Sequence, residues 1–335
     1  MAPASPRAPA PPDAAPPAPP APLAPAASLA VPLPALTAEA AAAAAGAQQL
    51  GRVVAALLAL YVIWGSTYFA IRVALQGFPP FTMGAGRFLL AGGLLYLLQR
   101  ARGEAPPTRQ QWLRAGAVGV LLITLGNGCV VLAQQRVASS LAAVMVASMP
   151  LFAALCAGMW GKWPGKLEWL GLGLGTAGVV LLNLEGELRA SPSGAALLVA
   201  APAAWAFGSV WSRQPDPHMP RGLIASAMQM LCGGAAMALL ALLRGEGLPA
   251  APGLVPSLAV GYLVVFGSLV AYSAYGFLLR TVRPTLATSY AYVNPVVALA
   301  LGTGLGGEQV GGAGLLGAGV ILAGVALVAL GKGRG

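Results

Sequence analysis

Residues 61–75 read YVIWGSTYFAIRVAL. The run is apolar enough to lie in a membrane, yet Gly65-Ser66-Thr67 occupies its centre. Trp64, Tyr68 and Phe69 crowd around that patch, and Arg72 stands near its end. At about 1.5 Å per residue, a helix entering the bilayer near Val53 carries the patch close to the midplane. Polar groups at that depth are costly unless they bond their own backbone or face a cavity. The rest of the chain decides between the two.

Hydrophobic residues make up 58% of the chain and charged residues 8%, with mean hydropathy +0.77. A soluble domain carries roughly 25% charged residues, so this chain cannot cover itself in water. It reads as an all-α polytopic membrane protein. The net charge of +10 does not point to nucleic acid, because the basic residues stand singly or in pairs between apolar runs. Cys129, Cys156 and Cys232 lie inside apolar runs, form no CxxC pair and read as small buried hydrophobes. His218 sits in the Pro-rich turn Gln214–Pro220 and reads as a loop residue. Gly171-Leu-Gly-Leu-Gly175 follows no strand, so helix packing explains it better than a glycine-rich phosphate loop. No metal-ligand cluster, cofactor motif or nucleophile–base set is present. The expectation is a chain that is not an enzyme and needs neither metal nor cofactor.

Pro occupies 13 of the first 34 positions. Proline removes backbone donors and fixes an extended chain, so residues 1–50 are expected to be a disordered, Ala/Pro-rich cytosolic tail. From Arg52 onward ten apolar segments approach bilayer length: 53–74, 81–99, 112–133, 138–160, 167–184, 194–212, 221–243, 255–279, 284–304 and 312–331. With the N-terminus inside, 14 Lys and Arg fall on inner loops and termini, 4 fall on the outer ends, and Arg87 lies within a span. That bias places both termini in the cytosol, as in a multi-pass protein of the inner membrane.

The chain repeats itself. Trp64 and Arg72 match Trp205 and Arg213 at an offset of 141, and Gly92-Gly93 matches Gly233-Gly234 at the same offset. Ser140-Leu-Ala-Ala with Met149-Pro150 matches Thr285-Leu-Ala-Thr with Asn294-Pro295, and Ala177-Gly178-Val179 matches Ala323-Gly324-Val325. Gly161-Lys162 aligns with Gly307-Glu308 after the fourth and ninth segments. Five segments per half is an odd number, so the second half starts on the opposite side. The expected plan is two inverted five-helix repeats, residues 51–185 and 194–331, as in transporters that open alternately to each face.

These residues resemble a known family. Ala56-Leu-Leu-Ala-Leu-Tyr-Val-Ile-Trp-Gly-Ser-Thr-Tyr-Phe, Gly77-Phe-Pro-Pro-Phe, Arg87-Phe-Leu-Leu-Ala-Gly-Gly, Glu168-Trp-Leu-Gly and Gly178-Val-Val-Leu-Leu-Asn183 are similar to the EamA-type transporters of the drug/metabolite transporter superfamily, in particular its YedA-like branch. The resemblance covers residues 53–331. It implies ten helices around a central cavity, alternating access and export of small metabolites such as amino acids. Lys162 stands where the family commonly has an acid.

Several residues are candidates for the wall of such a cavity. Trp64, Thr67 and Tyr68 share one helix face, with Ser66 beside them. Asn127 and Gln134 are seven apart, and uncharged amides in lipid need a partner or a cavity. Ser268, Tyr272 and Tyr275 form a polar-aromatic stripe, and Tyr290 shares a face with Asn294. Arg87, well inside a span, could attract a carboxylate or phosphate, or could be a structural arginine bonded to carbonyls. Pro150 and Pro295 each lie mid-span and cannot donate to Val146 and Ala291, four residues back. The recurrence of this break suggests a gating hinge. No Asp or Glu is placed inside any span, which argues against proton-coupled export of lipophilic cations. The leading expectation is a secondary transporter with a small-molecule substrate in a lipid bilayer. The alternatives are an exchanger of anionic or phosphorylated metabolites and a non-transporting scaffold.

Overall fold

The computed structural model describes residues 33–136, 139–183, 192–248, 250–306 and 312–330. The chain divides into two compact units, Met1–Ala47 and Gln48–Gly335. In the first, residues 33–47 are helical, although the sequence reading placed them in an unstructured tail. Prolines end at Pro34 and an alanine run follows, and alanine has the highest helix propensity of any residue. The rest of the tail, Arg189 and the Gly307-Glu308 pair lie outside the described residues.

The described elements are all helical: α1 (Leu33–Ala74), α2 (Pro80–Ala101), α3 (Arg109–Ala133), α4 (Ser139–Val146), α5 (Met149–Met159), α6 (Lys166–Asn183), α7 (Pro192–Trp211), α8 (Gly222–Leu243), α9 (Leu254–Thr281), α10 (Pro284–Ala287), α11 (Tyr290–Gly306) and α12 (Gly312–Leu330). Five stretches are long and apolar enough to cross a membrane: Ala45–Ala74, Pro80–Ala101, Arg109–Ala133, Gly222–Leu243 and Leu254–Thr281. Shorter apolar helices accompany them at Met149–Met159, Ala196–Trp211 and Gly319–Val328. Leu90, Leu94, Leu97, Leu239, Leu242, Leu258 and Phe266 are exposed. A soluble fold would bury such a surface, and a bilayer solvates it.

Helix starts follow local chemistry. Pro80 begins α2, where its missing N–H is not needed. The Glu246 carboxylate accepts from the N–H groups of Phe81 and Thr82, both at 2.9 Å, so an anion meets the positive end of that helix. Thr108 and Gln111 form a reciprocal capping box at the start of α3.

Lipid supplies no hydrophobic drive between helices, so close backbone approach must come from small residues. A Cβ on Gly92 of α2 would lie 2.9 Å from the Leu231 nitrogen of α8, and one on Gly84 would lie 2.6 Å from Met237 Sδ. A Cβ on Gly234 would meet Leu89 at 3.0 Å. As residue numbers rise along α2 they fall along α8, so the two helices pack antiparallel. The same holds for α6 and α12. Gly171 approaches Gly324 and Val328, while Gly178 approaches Ile321 and Gly317. Both pairs join segments that the sequence repeat makes equivalent.

Two further features recur. A π-helical turn interrupts α3 at Val120–Asn127 and α9 at Leu263–Val270, an offset of 143 at both ends. The segments 138–160 and 284–304 are broken, but at positions that are not equivalent. The first breaks at Ala147-Ser148 and the second at Thr288-Ser289. Pro150 therefore falls in the first turn of α5, where proline costs nothing, whereas Pro295 lies inside α11. The mid-span proline of the sequence reading is thus a helix start in the first half and an internal proline in the second.

The loops sort by end. Arg114 Nε is 2.9 Å from Asp216 Oδ2, and Arg213 Nη1 donates to the Val282 carbonyl at 2.7 Å. Arg283 Nη1 bonds Glu168 Oε1 at 2.6 Å, and Thr285 Oγ1 donates to the same oxygen at 2.8 Å. These contacts gather the loops after α2, α5, α7 and α9 at one end. They also correct one expectation, because Glu168 stands in the first turn of α6 and is 2% exposed. It is a buried, paired carboxylate at a span end. The three cysteines are free and half-buried, not fully buried.

Gly92 and its neighbour separate the packing role of glycine from its flexibility. Around Gly93 nothing lies within 4 Å of an added Cβ. Gly92→Ala should destabilise the detergent-solubilised protein by about 1–3 kcal/mol, as overpacking against backbone does. Gly93→Ala should be neutral or slightly stabilising, and thermal melts of the two variants check the contrast.

Candidate substrate cavity

A helix buries a polar side chain in lipid only if a partner or a cavity receives it. The patch that opens the sequence reading divides between these outcomes. A Cβ on Gly65 would sit 2.6 Å from Val297 Cβ, so this glycine lets α1 close on α11. Ser66 Oγ donates to the Ile63 carbonyl at 2.7 Å and pairs with the Tyr262 hydroxyl at 2.6 Å. Its hydroxyl is satisfied by neighbours. Thr67 Oγ1 donates to the Trp64 carbonyl at 2.6 Å while its side chain lines an internal cavity.

That cavity gathers Trp64, Thr67, Tyr68, Arg87, Asn127, Tyr272, Tyr290 and Asn294 from five separate segments. Ser66, Gln134 and Tyr275 are not among its lining residues. Gln134 ends α3, where both of its amide atoms are buried without partners. Tyr275 stands just behind the wall, its ring 5.2 Å from that of Trp64 and its hydroxyl 2.6 Å from Ser209 Oγ. Val146 lines the cavity, and it is the residue whose carbonyl Pro150 leaves unpaired in the sequence reading. Pro295 is absent from the lining.

The wall is aromatic. Trp64 and Trp205, equivalent in the sequence repeat, meet edge to face with centroids 5.5 Å apart. Tyr290 packs at 4.6 Å from Trp64, and Tyr272 at 6.3 Å from Trp205. Two hydroxyls of this cluster are tied: Tyr272 donates to Gln229 Oε1 at 2.9 Å, and Tyr290 to Met149 Sδ at 3.1 Å. These bonds and ring contacts leave little freedom to the rings.

Arg87 is 3% exposed. Its Nε donates to Ser268 Oγ at 2.8 Å and its Nη2 to the Gly267 carbonyl at 3.1 Å. The guanidinium carbon lies 4.6 Å from the Phe88 ring centroid, a cation–π contact that offsets part of the desolvation. Among the described residues no carboxylate pairs with it, and Nη1 has no hydrogen-bond partner. The Gly267 carbonyl is available because of the π-helical turn. The Ala271 N–H, which an α-helix would aim at Gly267, reaches Phe266 instead. Trp64 Nε1 shares that carbonyl at 3.0 Å. A Cβ at Gly267 would come within 3.0 Å of Arg87 Nη2, so the site depends on glycine there.

Other polar atoms also lack partners. Asn127 Oδ1 and Asn294 Oδ1 are buried and unpaired, and both residues line the cavity. Buried unsatisfied groups are rare in folded proteins, and here three residues with such a group, Arg87 included, face one space. That space has a volume of about 60 Å³. The cavity as seen is narrow.

The sequence reading missed Trp205 as a wall residue, although it had identified the residue as the repeat partner of Trp64. It also missed Met149 and Pro202, both of which line the cavity. Pro202 lies inside α7 and was visible as a proline within an apolar run.

Known proteins share this plan. The sequence profile of the EamA-like transporter family matches residues 51–184 and 192–330. The chain is 46% identical over 286 residues to YedA of Escherichia coli (strain K12), described as an uncharacterized inner membrane transporter, covering 85% of this chain and 93% of that protein. It is 27% identical over 279 residues to the uncharacterized transporter sll0355 of Synechocystis sp., covering 76% and 82%. A solved crystal structure superposes with a TM-score of 0.67 at 21% identity, covering 83% of this chain and 97% of that one, and so shares the fold.

The geometry of Arg87 sets an expectation for stability. A structural cation should destabilise the fold when removed, whereas one retained for a ligand carries an uncompensated desolvation cost. Arg87→Met should leave the melting temperature unchanged or raise it by about 2–4 °C. Ser268→Ala, which removes an acceptor but keeps the charge, should lower it. Melts in one detergent compare the two.

Proposed function

The chain belongs to the EamA-like transporter family, and we propose that it exports small carboxylate-bearing metabolites, amino acids first among them. The observation that supports this reading is Arg87. A buried guanidinium without a carboxylate partner, with Nη1 unused, is a receptor for one carboxylate group. The unpaired Asn127 and Asn294 oxygens and the faces of Trp64, Trp205 and Tyr272 suit an ammonium group opposite. Charge and complement together fit a zwitterion better than a multiply charged ion. A phosphorylated metabolite would demand more than one cation in the cavity, and the lining residues include one.

The transport cycle in this reading is alternating access between two inverted five-helix repeats that make ten spans. The antiparallel packing of the equivalent pairs α2–α8 and α6–α12, the recurring π-helical turns and the gathering of alternate loops at one end support it. Both termini are cytosolic by the positive-inside count. The narrow cavity corresponds to a closed state, and a metabolite requires its walls to part. The break at Ala147-Ser148 in one half and Pro295 in the other give two places where a span can bend.

Purified protein in liposomes loaded with labelled amino acids tests this directly. Saturable efflux of at least one amino acid, faster than from protein-free liposomes, is the expected result. If no carboxylate moves and a phosphorylated metabolite exchanges instead, the anion-exchange reading replaces this one.

A further inference from the structure

A second pocket opens where α7 ends, α8 begins and α9 ends. It holds about 280 Å³ by the same measure that gives about 60 Å³ for the substrate cavity. Arg213, Arg221 and Arg280 all line it, with Ser212, Gln214, Ser226 and Gln229. Three guanidiniums on one pocket concentrate like charge there, and an anion entering it would offset their repulsion. Among the described residues no carboxylate supplies this. Asp216 is paired with Arg114, Glu168 with Arg283 and Glu246 with Arg244, and no carboxylate is among the lining residues.

The donors are also unspent. Arg213 Nη1 bonds the Val282 carbonyl, which anchors that side chain at the pocket wall and leaves its other nitrogens. Arg221 and Arg280 engage no acceptor among the described residues and are exposed. Arg221 is the N-cap residue of α8, and no side chain caps that helix.

We propose that this pocket binds a phosphate-bearing anion. Three guanidiniums supply more positive charge than one carboxylate can offset, and the planar fork of arginine matches phosphate oxygens bidentately. The pocket is separate from the substrate cavity but shares a wall with it. Gln229, which lines the pocket, accepts from the hydroxyl of Tyr272, which lines the cavity. With the termini cytosolic, the pocket opens at the inner face, where both anionic lipid headgroups and soluble phosphates are available. The proposal does not depend on what the cavity carries.

Two arms of one experiment distinguish the sources. Full-length protein in neutral detergent is titrated calorimetrically with pyrophosphate. The same protein in phosphatidylcholine nanodiscs, with and without phosphatidylglycerol, is examined by native mass spectrometry for retained lipid. Wild type should bind at least one probe. Arg221→Gln with Arg280→Gln should weaken it by about 10-fold per arginine, and Arg280→Lys should show an intermediate loss, since it keeps the charge but not the fork. Arg102→Gln, which removes an equal charge at the same end, should bind as wild type does. Pyrophosphate binding without lipid retention identifies a soluble ligand, the reverse identifies a headgroup, and mutual competition identifies a site open to both. Absence of both in folded wild type overturns the proposal. So does binding that survives the double substitution, or an equal loss in Arg102→Gln. If the double variant fails to fold, the Arg221→Gln single variant carries the same comparison.

Discussion

The burial of the Arg87 guanidinium is the interaction around which the interior is arranged. Moving an unpaired cation out of water costs several kcal/mol even after relaxation, and Arg87 is enclosed by the surrounding helices. Two hydrogen bonds and one aromatic face offset part of that cost. The bond to Gly267 depends on a local departure from a regular helix. The Gly267 carbonyl is available because a π-helical turn redirects the Ala271 N–H, and the approach is open because residue 267 has no side chain. π-helical turns are characteristic of functional sites. This one converts a backbone group that a regular helix would consume into an acceptor for both Arg87 and Trp64.

Repetition explains why these departures meet in one place. Equivalent helices pair antiparallel through glycines, and the equivalent tryptophans Trp64 and Trp205 meet at the cavity wall. The two π-helical turns recur at the same offset and border the same space, Asn127 in one and Gly267 in the other. The halves are alike but not identical. Ser268 and Gly267 hold a cation in the second half's turn, whereas the first half offers the uncharged Asn127. An asymmetric polar lining inside a pseudosymmetric shell suits a substrate with one anionic and one cationic end.

Much of this was legible in the sequence. Charge scarcity and segment length announce a membrane protein, and Arg87 stands out because a lone charge within an apolar run has no bland surface explanation. Trp64, Thr67, Tyr68, Asn127, Tyr272, Tyr290 and Asn294 follow from helical spacing of polar and aromatic residues, and the structure brings them together. Gln134 and Ser66 share that signal but lie elsewhere, because spacing cannot tell a cavity from a neighbouring hydroxyl such as that of Tyr262. The π-helical turns were not legible, since an extra residue in a turn leaves no composition signal beyond scattered glycines. Nor was the helix at 33–47, where the proline-rich lead-in masked an alanine run of high propensity. Glu168 was legible, since it falls within the 167–184 segment, and was read past because it stands in the first turn beside a loop. The equivalence assumed for Pro150 and Pro295 failed because the chain breaks two residues before one proline and six before the other.

The central claim is that Arg87 receives the carboxylate of the transported molecule. Competition assays with a transported amino acid and its uncharged amide, on wild type and on Arg87→Gln in liposomes, test it most directly. In wild type the amide should compete at least about 10-fold more weakly than the acid, the equivalent of one charge-assisted hydrogen bond. In Arg87→Gln that difference should vanish while the protein remains folded. An amide that competes as well as the acid in wild type, or an unchanged preference for the acid in Arg87→Gln, would contradict the account.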